Sequence, residues 1–269
     1  MSDSEHNRHR RLRQLTVRET FSLGRNLRRI RFQATEPQDL ADAGPGAHLK
    51  LLLPAIAGDT PLSAQSANCD PAFSAENNPI ARTYSLRRAD PRRRTLDIDF
   101  VIHGAGPGSR WASRAEIGHS VGLVGVGGPR LFRPEAEFHL LAGDLSALPA
   151  IAAVLEALPD SAVGAALIEI ADVADQLSLQ HPPGLTPYWL HSHAASGLAA
   201  AVGRTQWPAG ADVFATVAGE NDAVLAIRAH LLRERGLPLS AMYAVPYWRR
   251  GRSEEQYHDE RHRSLEACR

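Results

Sequence analysis

The sequence is poor in lysine, and its opposite charges cancel. Lys50 is the only lysine, so the other 29 of the 30 basic residues are arginine. Genome composition is the simplest reason for this bias, but its chemical consequence is a set of cations suited to bidentate contacts with phosphate and carboxylate. The chain has 30 acidic residues as well. No overall field therefore draws it to nucleic acid or to an anionic membrane.

Cysteine is scarce too, and long apolar runs are missing. Cys69 and Cys268 lie in polar stretches, at a spacing that suggests neither a disulfide scaffold nor a zinc site. The first 13 residues are polar and rich in arginine, and no apolar run reaches the length of about 18 residues that a membrane helix needs. We expect no bound metal, no stable membrane insertion and a cytoplasmic location.

The first half of the chain predicts an antiparallel β-barrel. Short candidate strands separated by turns that contain Gly and Pro are typical of such barrels. They lie at 15–17, 29–32, 49–53, 81–87 and 95–102. The last one alternates, so Leu96, Ile98 and Phe100 face one way. Asp97 and Asp99 are expected to face solvent, and residues 57–79 are expected to form a surface loop.

After residue 134 the pattern changes to apolar strands that alternate with helices. The strands are predicted at 138–142, 163–170, 187–191, 212–218 and 242–245. One helix follows the turn at Gly143 and another opens at Gly219. This alternation predicts βαβ units and a parallel sheet. A barrel followed by such a sheet is the arrangement expected when the first domain holds a flavin and the second a nicotinamide nucleotide.

The segment Arg82-Thr83-Tyr84-Ser85 offers what a flavin requires. An arginine neutralises the pyrophosphate, a tyrosine packs on the ring or the ribityl chain, and a small hydroxyl serves the reactive N5. In a strand, Arg82 and Tyr84 point one way while Thr83 and Ser85 point the other. Taken alone, the tetrapeptide is equally compatible with an ordinary edge strand.

A glycine-rich segment, residues 103–111, follows the alternating strand and strengthens that interpretation. Its glycines allow close backbone approach, and Ser109 is predicted to cap a short helix over 110–113. The exposed N–H groups at such a helix start suit a pyrophosphate. The alternative is a glycine-rich hairpin corner with no ligand.

These motifs occur in a fixed order along most of the chain. The segments are 81–87, 96–104, 106–112, 143–151 and 247–251. Together they resemble the siderophore-interacting protein family, FAD-dependent ferric-siderophore reductases related to ferredoxin–NADP reductases. The resemblance covers roughly residues 16–251 and implies an antiparallel Greek-key barrel for FAD followed by an α/β domain for the nucleotide.

The resemblance also implies roles for individual residues. FAD would be bound by Arg82, Thr83, Tyr84 and Ser85 on one strand and by His103, Gly104, Gly108, Ser109 and Trp111 on the second segment. Ser85 and Tyr84 would take part in the flavin chemistry. NADPH or NADH would approach Asp144, Ser146 and Ala147. The implied domains are a tail at 1–14, the FAD domain at 15–134, the nucleotide domain at 135–251 and a tail at 252–269.

Some positions depart from the family pattern. Ser146 stands where threonine is usual and retains the hydroxyl. Ser192 and His193 stand where an arginine usually follows Trp189-Leu190-His191, which leaves the choice between NADPH and NADH open. Pro246 replaces the usual glycine before Tyr247, which is expected to stiffen the final turn.

A ferric siderophore is bulky and often anionic, so a basic pocket near the flavin would attract it. The candidates are Lys50, Arg130 and Arg249, each of which is also compatible with a solvated surface charge. The siderophore itself supplies the ligands of the iron. Two alternatives remain from the sequence: a general flavin reductase that serves a protein partner, with ferredoxin as another possible electron donor, and a carrier of siderophores without redox function.

Overall fold

A computed structural model describes residues 12–35, 43–54, 79–104, 106–191, 197–254 and 256–257. The chain divides into two compact units, Met1–Gly128 and Pro129–Arg269. This division precedes the change of pattern at residue 134 from which the sequence boundary was inferred. The predicted loop at 57–79, apart from Pro79, and residues 258–269 of the predicted tail lie outside the described residues.

Six antiparallel strands of the first unit close into a barrel in the order β1-β2-β5-β4-β3-β6. They are β1 (Leu12–Ser22), β2 (Leu27–Ala34), β3 (His48–Leu53), β4 (Ile80–Asp90), β5 (Thr95–Val101) and β6 (Ser120–Gly127), with helix α1 (Pro107–Arg114) between β5 and β6. The predicted Greek-key barrel is confirmed. Because β1 already pairs with β6 from Leu12 onward, the last residues of the predicted tail at 1–14 belong to a strand.

The barrel core follows from the alternation along its strands. Leu49, Leu51 and Leu53 of β3 are buried on the inner face, where they pack with the apolar side chains of β5. Trp111 brings α1 into this core, since its ring lies 5.7 Å from that of Phe100. Burying side chains of this size stabilises the fold by about 1.5–3 kcal/mol each.

The expectation that Asp97 and Asp99 face solvent is wrong. They are only 3% and 6% exposed, because each lies directly opposite an arginine of β2. Arg31 Nε is 2.8 Å from Asp97 Oδ1, and Arg29 Nε is 2.6 Å from Asp99 Oδ1. The long arginine side chains cover the carboxylates while they pair with them.

The second unit contains a parallel sheet in the order β11-β10-β7-β8-β9. Its strands are β7 (Phe138–Asp144), β8 (Gly164–Ile170), β9 (Pro187–His191), β10 (Val213–Glu220) and β11 (Met242–Trp248). Its helices are α2 (Leu148–Ala157), α3 (Gly197–Arg204) and α4 (Asn221–Arg233). The predicted parallel α/β domain is confirmed. From the central strand β7 the chain runs outward through β8 and β9, then returns to β10 on the other side. The strand order therefore reverses between β7 and β10.

One face of this sheet buries a polar side chain among apolar ones. His139 is fully buried, and neither of its ring nitrogens has a hydrogen-bond partner among the described residues. It lies directly opposite Phe214 of β10, whose ring contacts the guanidinium of Arg133. Burial, reinforced by the charge of Arg133, lowers the pKa of His139. The imidazole is therefore held neutral.

Several elements differ from the sequence-based expectation. Strand β6 and helix α3 were not predicted. Pro246 lies inside the edge strand β11, opposite Gly219, and not in a turn. An edge strand tolerates proline because the missing N–H faces away from the sheet. The tail was expected to be loose, but Tyr257 is 2% exposed and its hydroxyl donates to Asn221 Oδ1 at 2.7 Å.

No helix in the described part of the chain is long and apolar enough to cross a membrane.

Candidate functional site

Strand β4 places the predicted flavin tetrapeptide beside β3. Tyr84 faces the barrel core, where its ring lies 4.5 Å from that of Phe100. Thr83 is exposed on the opposite face, and Ser85, on that face as well, is 8% exposed. The alternation expected from the sequence is therefore present. Arg82 is half-buried, and its Nη1 donates to the carbonyl of Ala81 at 2.7 Å.

The two segments predicted to bind FAD meet at Tyr84 and Gly108. A Cβ on Gly108 would lie 1.8 Å from the hydroxyl oxygen of Tyr84, a distance that no real Cβ tolerates. Glycine is therefore required at position 108 for Tyr84 to occupy its present place. The contact joins β4 to the first turn of α1, so the candidate phosphate-binding segment and the candidate ring-binding residue are held as one structure.

Ser109 does not cap α1 as predicted. The helix begins earlier, with Pro107 in its first turn and Gly106 at the N-cap position. The Ser109 hydroxyl, which is buried, instead accepts hydrogen bonds from the backbone N–H groups of His103, at 2.9 Å, and Gly104, at 3.0 Å. Its side chain points back over the preceding loop because those two N–H groups need an acceptor inside the structure.

The start of α1 retains the features of an anion site. Among the described residues, no side chain caps Gly106, so the positive end of the helix is not neutralised by the chain itself. Gly104 has a φ of +81°, and nothing described lies within 4 Å of the place where its Cβ would be. This open backbone fits a pyrophosphate such as that of FAD. His103 lies alongside, near Gly106.

The outer face of β3 and β4 brings two further residues to the candidate site. Lys50 lies opposite Thr83 and His48 opposite Ser85 in the strand register, and both Lys50 and His48 are exposed. His48 was not selected from the sequence, although its spacing of two residues from Lys50 puts both on one face of a strand. Arg130 is exposed and Arg249 half-buried, and both belong to the second unit. Their grouping with Lys50 stays a prediction.

In the second unit, Asp144 is a partly buried carboxylate at the end of β7. Its Oδ1 accepts from the Ser146 N–H at 2.8 Å and from the Ser146 hydroxyl at 2.5 Å. Its Oδ2 accepts from the Glu220 N–H at 2.8 Å and from Trp248 Nε1 at 2.7 Å. Ala147 closes the turn by donating its N–H to the Asp144 carbonyl. The turn predicted to meet the nucleotide is thus organised around Asp144.

Two carboxyl groups at this end of the sheet have raised pKa values. Burial raises the pKa of Asp144, and hydrogen bonds from Ser146, Trp248 and Glu220 oppose that shift. Glu169 lies opposite Asp144 on β8, and its pKa is raised by burial first and by the charge of Asp144 second, against the lowering effect of Arg250. Glu220 caps α4 by accepting from the N–H groups of Asp222 and Ala223.

Comparison with protein families gives one match to each half of the chain. The siderophore-interacting FAD-binding domain matches residues 16–130. The family described as siderophore-interacting protein matches residues 136–251. The two matches together span the barrel and the parallel sheet.

Comparison with individual proteins gives relatives that match over nearly their whole length. The ferric vibriobactin reductase ViuB of Vibrio cholerae is 38% identical over 245 residues, which are 89% of this chain and 90% of that protein. The siderophore-interacting protein SipS from Aeromonas hydrophila superposes with a TM-score of 0.80 and 32% identity, covering 96% of this chain and 99% of the other. A siderophore utilization protein from T. fusca gives a TM-score of 0.76 and 35% identity, covering 92% and 96%.

Proposed function

Because the chain belongs to the siderophore-interacting protein family, we propose that it is an FAD-dependent ferric-siderophore reductase. Electrons would come from NADH or NADPH and reach the iron(III) of a chelate. Iron(II) binds such chelators weakly, so reduction releases the metal for the cell. The relative ViuB carries the same activity in its name, as a reductase of ferric vibriobactin.

The contact between Tyr84 and Gly108 is the single observation that supports the flavin site best. It unites a half-buried arginine, a tyrosine and a serine on β4 with an uncapped helix start, over a short distance in space. A site for FAD needs these parts together, because the cofactor is both a planar ring system and a dianionic pyrophosphate. An ordinary edge strand or hairpin corner has no need of this combination.

The residues have distinct roles in the proposed site. Arg82 neutralises the pyrophosphate, and the N–H groups at the start of α1 bind its oxygens. Tyr84, held by Phe100 and Gly108, fixes the position of the ring system. Thr83 lies on the outer face beside Ser85, whose hydroxyl donates to, or accepts from, the reactive edge of the flavin. Ser109, His103 and Trp111 shape the loop and anchor the helix.

Bound FAD supplies the redox chemistry, since it accepts electrons in pairs from a nicotinamide nucleotide and passes them singly to iron. The protein binds, orients and excludes water. Lys50 and His48, on the same outer face as Ser85, attract an anionic chelate to that face. Arg130 and Arg249 keep their proposed role as cations that attract the chelate, and the iron needs no ligand from the protein.

The most informative experiment is anaerobic and separates the alternatives. NADH and NADPH are added in turn to the purified protein, then several ferric chelates, while flavin absorbance and a ferrous trap are followed. We expect bleaching of the flavin and faster reoxidation by a ferric siderophore than by simple ferric salts. A protein that binds siderophore but no flavin would be a carrier. Bleaching only by reduced ferredoxin would assign the donor to a protein partner.

If the reduced flavin shows no preference for any ferric siderophore over simple ferric salts, the substrate assignment is wrong, and a general flavin reductase remains. The cytoplasmic location is part of the same proposal, since both NAD(P)H and the need for free iron(II) belong to that compartment. Fractionation of cells that express the tagged chain tests it.

A further inference from the structure

The carboxyl end of the parallel sheet contains an exposed indole that is fixed by a partly buried carboxylate. Trp248, the last residue of β11, is 39% exposed. Its Nε1 donates to Asp144 Oδ2 at 2.7 Å. A hydrogen bond between a neutral N–H and a carboxylate is stronger than one between neutral groups. The ring is thus held by its edge while part of its surface remains open to solvent.

Asp144 has no remaining capacity to bind a ligand itself. A carboxylate has about four acceptor positions, and each oxygen of Asp144 accepts two hydrogen bonds from the chain's own donors. Three of these donors are N–H groups, which cannot accept hydrogen bonds, so they cannot bond to each other in place of Asp144. Asp144 therefore acts on its neighbours and not on a bound molecule.

Gly219 makes this arrangement possible. A Cβ at that position would lie 2.6 Å from Asp144 Oδ2, and the residue has a φ of +132°. The left-handed conformation and the missing side chain together let the carboxylate reach the N–H of Glu220 and the indole of Trp248. Glycine at position 219 thus leaves room for the hydrogen bonds that fix the position of Trp248.

The position of this cluster in the sheet indicates what the indole contacts. The strand order reverses between β7 and β10, and the hydrogen bond from Glu220 to Asp144 spans those two strands at their carboxyl ends. In open α/β sheets, ligands bind in the crevice outside the carboxyl ends at this reversal. Trp248 lies opposite Glu220 in the strand register, at the border of the crevice.

We propose that Trp248 forms a wall of the nucleotide-binding crevice, on which a planar ring of the nicotinamide nucleotide packs, and that Asp144 is the positioning residue that fixes this wall. The inference rests on the proposed function, because it assumes that NADH or NADPH is the donor. Aromatic surfaces favour offset stacking with planar rings. A fixed indole also spares the entropy of ordering a side chain when the nucleotide binds.

The test measures binding of NADP⁺ and NAD⁺ to the flavin-loaded protein by calorimetry, so that no turnover is needed. Trp248→Ala is expected to weaken binding about tenfold, and Trp248→Phe, which retains a ring but loses the N–H, by less. Asp144→Asn is expected to weaken binding in the wild-type background and to have no further effect when combined with Trp248→Ala. The control Tyr188→Ala removes an aromatic side chain that is 59% exposed on the same sheet and should leave affinity unchanged.

A second measurement reports on the hydrogen bond directly. In a ¹⁵N–¹H spectrum of the Trp side chains, the indole signal lost in Trp248→Phe identifies Trp248. We expect that signal to shift upfield in Asp144→Asn, because the charge-assisted hydrogen bond is lost, while the other indole signals stay in place. Retention of those signals also shows that the variant is folded.

Three results would overturn the inference. Unchanged nucleotide affinity in Trp248→Ala would show that the indole does not contact the nucleotide. An equal loss from Asp144→Asn with and without Trp248→Ala would make Asp144 act independently of the indole. An unshifted Trp248 signal in Asp144→Asn would do the same. If NADH or NADPH still bleaches the wild-type flavin, these results leave the proposed reductase intact. A wild-type protein that neither binds nor is reduced by either nucleotide would overturn both.

Discussion

The hydroxyl of Tyr84 occupies the space that the side chain of any residue other than glycine at position 108 would need. The two residues belong to different elements, β4 and α1, and the distance of 1.8 Å from the Tyr84 oxygen to a Cβ built on Gly108 leaves no room for a methyl group. Tyr84 also packs on Phe100, so it cannot yield without disturbing the barrel core.

Gly108→Ala is therefore expected to displace Tyr84 and to raise the dissociation constant of FAD about tenfold or more. Forcing an extra methyl group into a packed site costs about 1–3 kcal/mol. The measurement is the dissociation constant of FAD from titration of the apoprotein. The matched control is Gly127→Ala, since nothing described lies within 4 Å of the place where its Cβ would be. Equal FAD affinity in the two variants would show that Tyr84 does not shape the site.

Arg82→Ala is expected to weaken FAD binding by about one to two orders of magnitude, because a charge-assisted contact with phosphate contributes about 1.5–3 kcal/mol. The ratio of flavin to protein after purification reports the loss. Arg92→Ala, at an exposed turn position after the same strand, serves as the control for removal of a positive charge. Unchanged occupancy in Arg82→Ala would exclude the assigned role.

The buried His139 predicts a pH dependence of stability. Its pKa is lowered below the ordinary value of 6.5, so only the unfolded chain takes up the proton just below that pH. Stability is then fully present above about pH 6.5 and falls by up to about 1.4 kcal/mol per pH unit below it, until the folded pKa is reached. Melting temperatures between pH 5 and 8 measure this effect.

His139→Leu should flatten that dependence, because the side chain no longer titrates and no hydrogen bond is lost. The control is His181→Gln, which changes an exposed histidine of the same unit and should leave the slope as it is. A wild-type profile that does not change when His139 is replaced would assign the pH dependence to other groups.

The pair Arg29–Asp99 is expected to show a coupling free energy of about 1–3 kcal/mol in a double-mutant cycle with Arg29→Met and Asp99→Asn. The side chain of Asp99 is 2% exposed and that of Arg29 22%, so water competes poorly for their hydrogen bonds. Denaturant unfolding of each variant gives the four free energies. The exposed pair Arg93–Asp90, 3.7 Å apart, should couple by less than about 0.5 kcal/mol. Comparable couplings would indicate that burial does not strengthen the inner pair.

The sequence predicts the order of domains well because each has its own periodicity. The alternation of 95–102 and the apolar runs of β7 and β8 are local signals, and both correspond to strands. Strand β6 was not predicted because its glycines at 122 and 125 interrupt the alternation of apolar and polar residues. Helix α3 was not predicted because it is short and contains two glycines, Gly197 at its first position and Gly203 near its end. In both segments the local sequence pattern is too weak to indicate the secondary structure.

The candidate sites depend on contacts that no local pattern contains. Asp97 and Asp99 were predicted to face solvent because the arginines that cover them lie on another strand. Ser109 was predicted to be a helix cap because the sequence does not show that its hydroxyl accepts hydrogen bonds from two N–H groups in the preceding loop. The hydrogen bond between Asp144 and Trp248 joins residues 104 positions apart. The sequence predicts which residues matter there, but only the fold assigns their roles.

The parallel sheet has a proline in each of its two edge strands, Pro187 at the start of β9 and Pro246 within β11. A proline gives an approaching chain no N–H to bond with, so it interrupts the row of donors and acceptors that an open edge exposes. The barrel, being closed, has no such edge. Both prolines therefore limit the addition of a strand from a neighbouring molecule to the edges of this sheet.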